Sequence, residues 1–192
     1  MKEKMITVKP IMLETVILKV KGISPYLVEP MDMKMLEDYD GPKKPGKKVK
    51  VSEKEKVKNK YYYTEDGKKG IPARAFYKAM IRASSYLIEK KDGGMRNVKE
   101  GIKVMGEILP LKFSSEKVLT HWGRASGMTG APRLIMRNAF YDWECTLEIR
   151  YNAKHLTADH IFNILNWAGF HIGVGGFRKE CTGNFGEFKV EI

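Results

Sequence analysis

Asp142-Trp143-Glu144-Cys145-Thr146-Leu147-Glu148-Ile149-Arg150-Tyr151 alternates without a break: Trp143, Cys145, Leu147, Ile149 and Tyr151 fall on one side, charged or hydroxyl residues on the other. A sustained period of two is the pattern of a strand with one face buried. Shortly after it, Thr157 offers an N-cap hydroxyl, and Ile161, Ile164, Leu165 and Ala168 then repeat at helical spacing up to Gly169. That predicts a helix over residues 158–168 with Gly169 as its stop.

Working outward, residues 170–174 read as a short strand, followed by a glycine-rich loop and a last strand over residues 185–192. Upstream, residues 102–110 alternate well enough for another strand. Before them Pro72 suits a first helical turn, and Phe76, Ala79, Met80, Ala83 and Leu87 carry the apolar stripe of a helix that ends at Asp92-Gly93-Gly94. Residues 12–21 set Leu13, Thr15 and Ile17 against Met12, Val16, Leu18 and Val20, a strand closed by Gly22 and Pro25.

The order strand, helix, strand, strand, helix, strand predicts an α+β fold of the ferredoxin-like βαββαβ kind. Its antiparallel sheet carries both helices on one face and leaves the other open to a ligand. Two long insertions interrupt it, a basic arm over residues 24–70 and a flap over residues 112–141, within one domain spanning residues 1–192. No internal repeat is visible.

Apolar residues make up 43% of the chain and aromatics 10%, enough for a core and too much for wholesale disorder. Lys and Arg number 35 against 23 Asp and Glu, a net charge of +12 with pI ≈ 9.5, and a polyanion is the simplest partner for such an excess. Residues 42–60 alone hold nine lysines and two glutamates, so most of the excess is local. No apolar run is long enough to span a membrane and the first residues are too polar for a signal peptide; a cytoplasmic protein without a membrane partner is expected. Cys145 and Cys181, in unrelated contexts, are expected to stay thiols.

Three segments carry functional signals. Residues 169–186 contain six of the 18 glycines. A loop so poor in side chains can bring backbone N–H groups to phosphate oxygens at Gly175, Gly176 and Phe177, with Arg178 and Lys179 supplying charge. The same composition also fits a β-hairpin with tight turns, and it lacks the strand-before, helix-after context of a dinucleotide fingerprint. In the arm, Lys43, Lys44, Lys47, Lys48 and Lys50 precede Tyr61, Tyr62 and Tyr63; cations beside rings are what single-strand binding uses, although a solvated loop leading into an edge strand has the same pattern. The flap holds His121, Trp122, Arg124, Arg133 and Arg137 among glycines, suited either to a hairpin closing over nucleic acid or to an ordered cover that buries Trp122. On the first helix Arg74, Lys78 and Arg82 form a basic stripe, which is a further candidate contact or a solvated face.

The glycine-rich loop between the second helix and the terminal strand resembles that of the RAMP superfamily, which includes the Cas7-type backbone subunits of CRISPR effector complexes. The likeness covers mainly residues 157–192, and the loop lacks the superfamily's full arginine-rich form. Gly70 through Met80, Tyr151-Asn152-Ala153, Ala168-Gly169-Phe170 and Gly186-Glu187-Phe188 also resemble a group of phage and prophage proteins. The resemblance implies an RRM/RAMP-like sheet, a groove for single-stranded DNA or RNA, and copies lined up along the strand as a homo-oligomer or filament. It also implies two rivals: a metal-independent endoribonuclease, since RAMP relatives such as Cas6 use a histidine, and a Cas7-mimicking inhibitor that binds a host complex.

Catalysis finds little support in the residues themselves. His121, His155, His160 and His171 lack metal-ligand spacing, and only His121 is a candidate general acid–base group. Asp32, Glu37, Asp38 and Asp40 sit on a Pro- and Lys-rich stretch that reads as a solvated loop. The expectation is a non-enzymatic protein with no catalytic residue, metal or cofactor.

Overall fold

The computed structural model of the chain describes residues 10–28, 57, 60–87, 94–124 and 131–191. Strands β1 (Leu13–Gly22) and β9 (Glu144–Asn152) run antiparallel from Leu13 opposite Asn152 to Lys21 opposite Glu144. Strand β10 (Phe188–Glu191) flanks β1 and strand β5 (Ile102–Val104) flanks β9, giving the all-antiparallel order β10-β1-β9-β5. First and third core strands lie side by side at the centre, fourth and second at the edges, as the ferredoxin-like arrangement requires.

The alternation that predicts β9 is the alternation observed: Trp143, Cys145, Leu147, Ile149 and Tyr151 are each at most 3% exposed. Such burial stabilises by about 1.5–3 kcal/mol per large side chain, which sets the register, because a one-residue slip would turn all five to solvent. Helices α1 (Ala73–Leu87) and α3 (Ala158–His171) pack against each other and against this face, with Phe76 meeting Phe188 edge-on at 5.5 Å. Thr157 caps α3 as expected: its hydroxyl accepts from the His160 N–H, and His160 Nδ1 accepts from the Thr157 N–H. The chain thus has a mixed α+β, ferredoxin-like fold.

Several local expectations are corrected. Gly169 does not stop α3, which continues to His171 and leaves no room for a strand over residues 170–174. A side chain at Gly169 would collide with the Phe188 carbonyl, so that glycine marks a close helix–strand approach. The expected strand over residues 102–110 is two strands in different sheets, since the backbone turns at Gly106 (φ 82°) and β6 (Ile108–Pro110) leaves the main sheet for β4 (Lys69–Pro72). Pro72 ends β4 rather than opening the helix. A short helix α2 (Gly94–Gly101), fixed by the buried Val98, lies between α1 and β5; its one apolar anchor is too little for a periodic signal. The last strand is shorter than expected at its start, with Phe185 held in a bridge to Arg178.

Both insertions contribute ordered structure. Strand β2 (Tyr26–Leu27) pairs with β8 (Pro132–Tyr141), which pairs in full with β7 (Ser115–Arg124); β3 (Tyr62–Tyr63) pairs with β4. Trp143 ties this second layer to the main sheet, donating from Nε1 to the Ser24 carbonyl at 2.9 Å and packing on Tyr26 and Phe188.

Candidate nucleic-acid interface

Helix α1 buries Phe76, Ala79, Met80 and Ala83, and the same 3.6-residue period brings Arg74, Lys78 and Arg82 to a neighbouring face. Those three cations line a cleft of ≈ 370 Å³ whose other wall is the glycine-rich loop, through Gly173, Val174, Gly175, Arg178 and Glu180, with Tyr26 and Tyr62 also lining it. Six of the residues singled out from the sequence, Tyr62, Arg74, Lys78, Arg82, Gly175 and Arg178, therefore converge in one place. Among the described residues, four cations there face one carboxylate.

That carboxylate is well used. Arg178 donates to Glu180 Oε2 from Nη2 at 2.6 Å and from Nε at 3.0 Å, and from Nη1 to the Gly175 carbonyl at 3.1 Å; Arg82 also pairs with Glu180. Among the described carboxylates none pairs with Arg74 or Lys78. Glu180 is the group that holds the two arginines.

The loop is also tied to the neighbouring backbone. Three of its amides are bonded within the protein: Gly176 N–H to the Leu27 carbonyl at 2.9 Å, Gly183 N–H to the Arg178 carbonyl at 3.0 Å and Gly186 N–H to the Pro25 carbonyl at 2.9 Å. Gly175 is bare because β2 passes so close: a side chain there would reach the Leu27 carbonyl at 2.6 Å and the Tyr26 ring, at φ 84°. Gly175 and Gly176 thus dock the loop on β2. Lys179 pairs with Glu187 at 2.9 Å and lies 3.8 Å above the Phe170 ring.

The remaining residues spread over two surfaces. Strand alternation puts His121 and Arg137 on the hairpin face that meets the loop, where His121 stacks on Phe177. Trp122 projects from the other face, 67% exposed with Leu134 opposite it, so it neither lines the cleft nor joins the core. The returning end of the arm is anchored on that second face, where Asn138 Nδ2 donates to the Val57 carbonyl at 2.8 Å. Tyr61 is structural: its hydroxyl donates to Glu116, Lys69 lies 4.0 Å over its ring, and burial first and Glu116 second raise its pKa above the ordinary 10.0. Tyr63 is half exposed. Lys43, Lys44, Lys47, Lys48 and Lys50 lie outside the described residues, as do the side chains of Arg124 and Arg133.

Among the described residues, the open face of the main sheet carries no ring on which a base could stack. Lys19 bridges Glu144 at 2.9 Å and Glu191 at 3.0 Å across three strands, which raises the Lys19 pKa and lowers that of Glu144. Its outward row of Thr15, Ile17, Thr146, Glu148 and Arg150 is mixed in character. Charge convergence is thus found on the helix side of the molecule.

No family model and no curated protein matches the chain. Among solved structures it is similar to a chain of a Type III-B Cmr-beta complex bound to cognate target RNA, with a TM-score of 0.53 at 10% identity over 94% of this chain. The match spans 59% of the length of that chain. It is also similar to Cmr6 from Pyrococcus furiosus, with a TM-score of 0.44 at 9% identity, covering 95% of this chain and 100% of that one. Among the described residues no helix is long and apolar enough to cross a membrane. The strand order, the two helices on one sheet face and the likeness to the Cmr-beta chain show a ferredoxin-like fold shared with that chain.

Proposed function

We propose that this protein binds single-stranded nucleic acid through its phosphates, in the cleft between α1 and the glycine-rich loop, without covalent chemistry. The observation that carries the reading is the convergence of Arg74, Lys78, Arg82 and Arg178 on one cleft that, among the described residues, holds a single carboxylate. Phosphate contacts of this kind fix a strand's position without reading its sequence, so affinity is expected to fall with salt and to vary little with base composition. The Cmr-beta complex holds RNA, and the fold shared with one of its chains makes RNA the first ligand to test. Copies lying side by side along one strand would join their clefts into a track, and the lysine-rich residues 43–50 would add charge to it.

A non-catalytic role is favoured by the setting of His121, whose two ring nitrogens are both covered from solvent, out of reach of a ribose hydroxyl. Anisotropy titration of labelled oligouridine and oligothymidine tests the reading. Saturable binding that weakens as salt rises supports it, and a flat response at low salt removes it.

A further inference from the structure

One aromatic group lies outside everything assigned above. Tyr86, one helical turn beyond Arg82 on α1, stacks with Trp167 at 6.4 Å and 23° and with His171 at 6.3 Å and 22°; Trp167 and His171, one turn apart on α3, stack at 4.3 Å and 26°. Phe170 meets His171 edge-on at 4.8 Å. These rings are not core: Tyr86 is 68% exposed, Phe170 55% and Trp167 37%. Solvent-facing rings grouped in this way are uncommon and mark binding surfaces.

The neighbours of the cluster narrow the occupant. Arg74, Lys78, Arg82 and Tyr86 follow one another at four-residue steps along α1, so a rise of about 1.5 Å per residue puts the rings about 18 Å along the same stripe that lines the cleft. Lys179 sits over Phe170 on the loop side, next in sequence to Glu180 of the cleft. A second copy of this chain would bring like charges to that border. A nucleotide satisfies both parts, its phosphate on the cations and its base on the rings.

We propose that Tyr86, Trp167 and His171 form a stacking platform for an unpaired base of the strand held in the cleft. The platform rests on the phosphate-binding reading and adds to it a contact with the bases. Stacking accepts any base, since each has a π face, and its loss on alanine substitution in other proteins corresponds to about 5-fold to 150-fold per base.

The test compares oligouridine with an abasic strand of equal length, using Trp122→Phe protein so that Trp167 is the exposed indole that reports. Oligouridine is expected to bind about 10-fold or more tighter than the abasic strand and to quench Trp167 fluorescence. Tyr86→Ser should bring the two affinities together while leaving the abasic strand's affinity and salt dependence unchanged, and Tyr86→Phe should restore the difference. Equal wild-type affinities, or a difference that survives Tyr86→Ser, overturn the platform and leave the phosphate cleft standing. A Tyr86→Ser protein that changes only its oligomeric state overturns it in favour of a contact between copies. Failure of the wild type to bind either strand overturns both.

Discussion

The imidazole of His121 lies on the ring of Phe177, centroids 4.7 Å apart and planes 25° apart. The contact joins β7 to the glycine-rich loop, and it gives the one candidate catalytic histidine a packing role. Labelled hairpin RNA incubated without metal should stay intact with wild type and with His121→Ala alike. The variant should instead lose about 1–2 kcal/mol of stability in urea denaturation. Cleavage by the wild type that His121→Ala abolishes would make His121 catalytic after all.

Glu180 holds Arg178 and Arg82 at the mouth of the cleft. Because it competes with phosphate for both guanidinium groups, Glu180→Gln should bind oligouridine more tightly, by about 2–5-fold at low salt, the scale of one partly exposed ion pair. Weaker binding by a folded Glu180→Gln would mean that the carboxylate orients the arginines for the strand rather than competing with it.

Much of this was legible before any coordinates. The period-two run over Trp143–Tyr151 and the Thr157 cap each predict an element that is observed, because both signals are local: a buried face and a hydroxyl beside open N–H groups. What was not legible depends on contacts distant in sequence. Gly169 reads as a helix stop until Phe188 is seen against it, and residues 102–110 read as one strand until the turn at Gly106 sends the second half to β4. In the candidate site, the basic stripe on α1 was visible as a spacing. Its pairing with the loop was not, nor was the stacking of Tyr86 on Trp167, whose partners lie about 80 residues apart on two helices.

Gly175 can be tested as a docking residue. Gly175→Ala sets a methyl against the Leu27 carbonyl in left-handed backbone, which costs about 1–3 kcal/mol and, at about 2–4 °C per kcal/mol for a chain of this size, lowers Tm by about 2–12 °C. Thermal melts followed by circular dichroism measure it. An unchanged Tm would mean that β2 and the loop do not pack as described.

Tyr61 gives a pH dependence with a definite sign. Burial, followed by its hydrogen bond to Glu116, raises its folded pKa above the unfolded 10.0. Its contribution is therefore complete below pH 10 and lost as pH rises through the folded value. Urea unfolding at pH 8 to 11 should show Tyr61→Phe losing less stability than the wild type over the upper part of that range. Parallel losses would remove the coupling.

The most direct measurement sets the cleft against the open sheet face with equal charge removed. Oligouridine anisotropy over a salt series compares wild type with Arg74→Gln/Lys78→Gln/Arg82→Gln, and with Lys103→Gln/Arg150→Gln/Lys189→Gln on the sheet. The cleft variant should lose most of its affinity and flatten the salt slope by about 0.7 for each phosphate contact removed, while the sheet variant stays near wild type. The reverse outcome, or equal losses from both triple variants, would contradict a strand held between α1 and the glycine-rich loop.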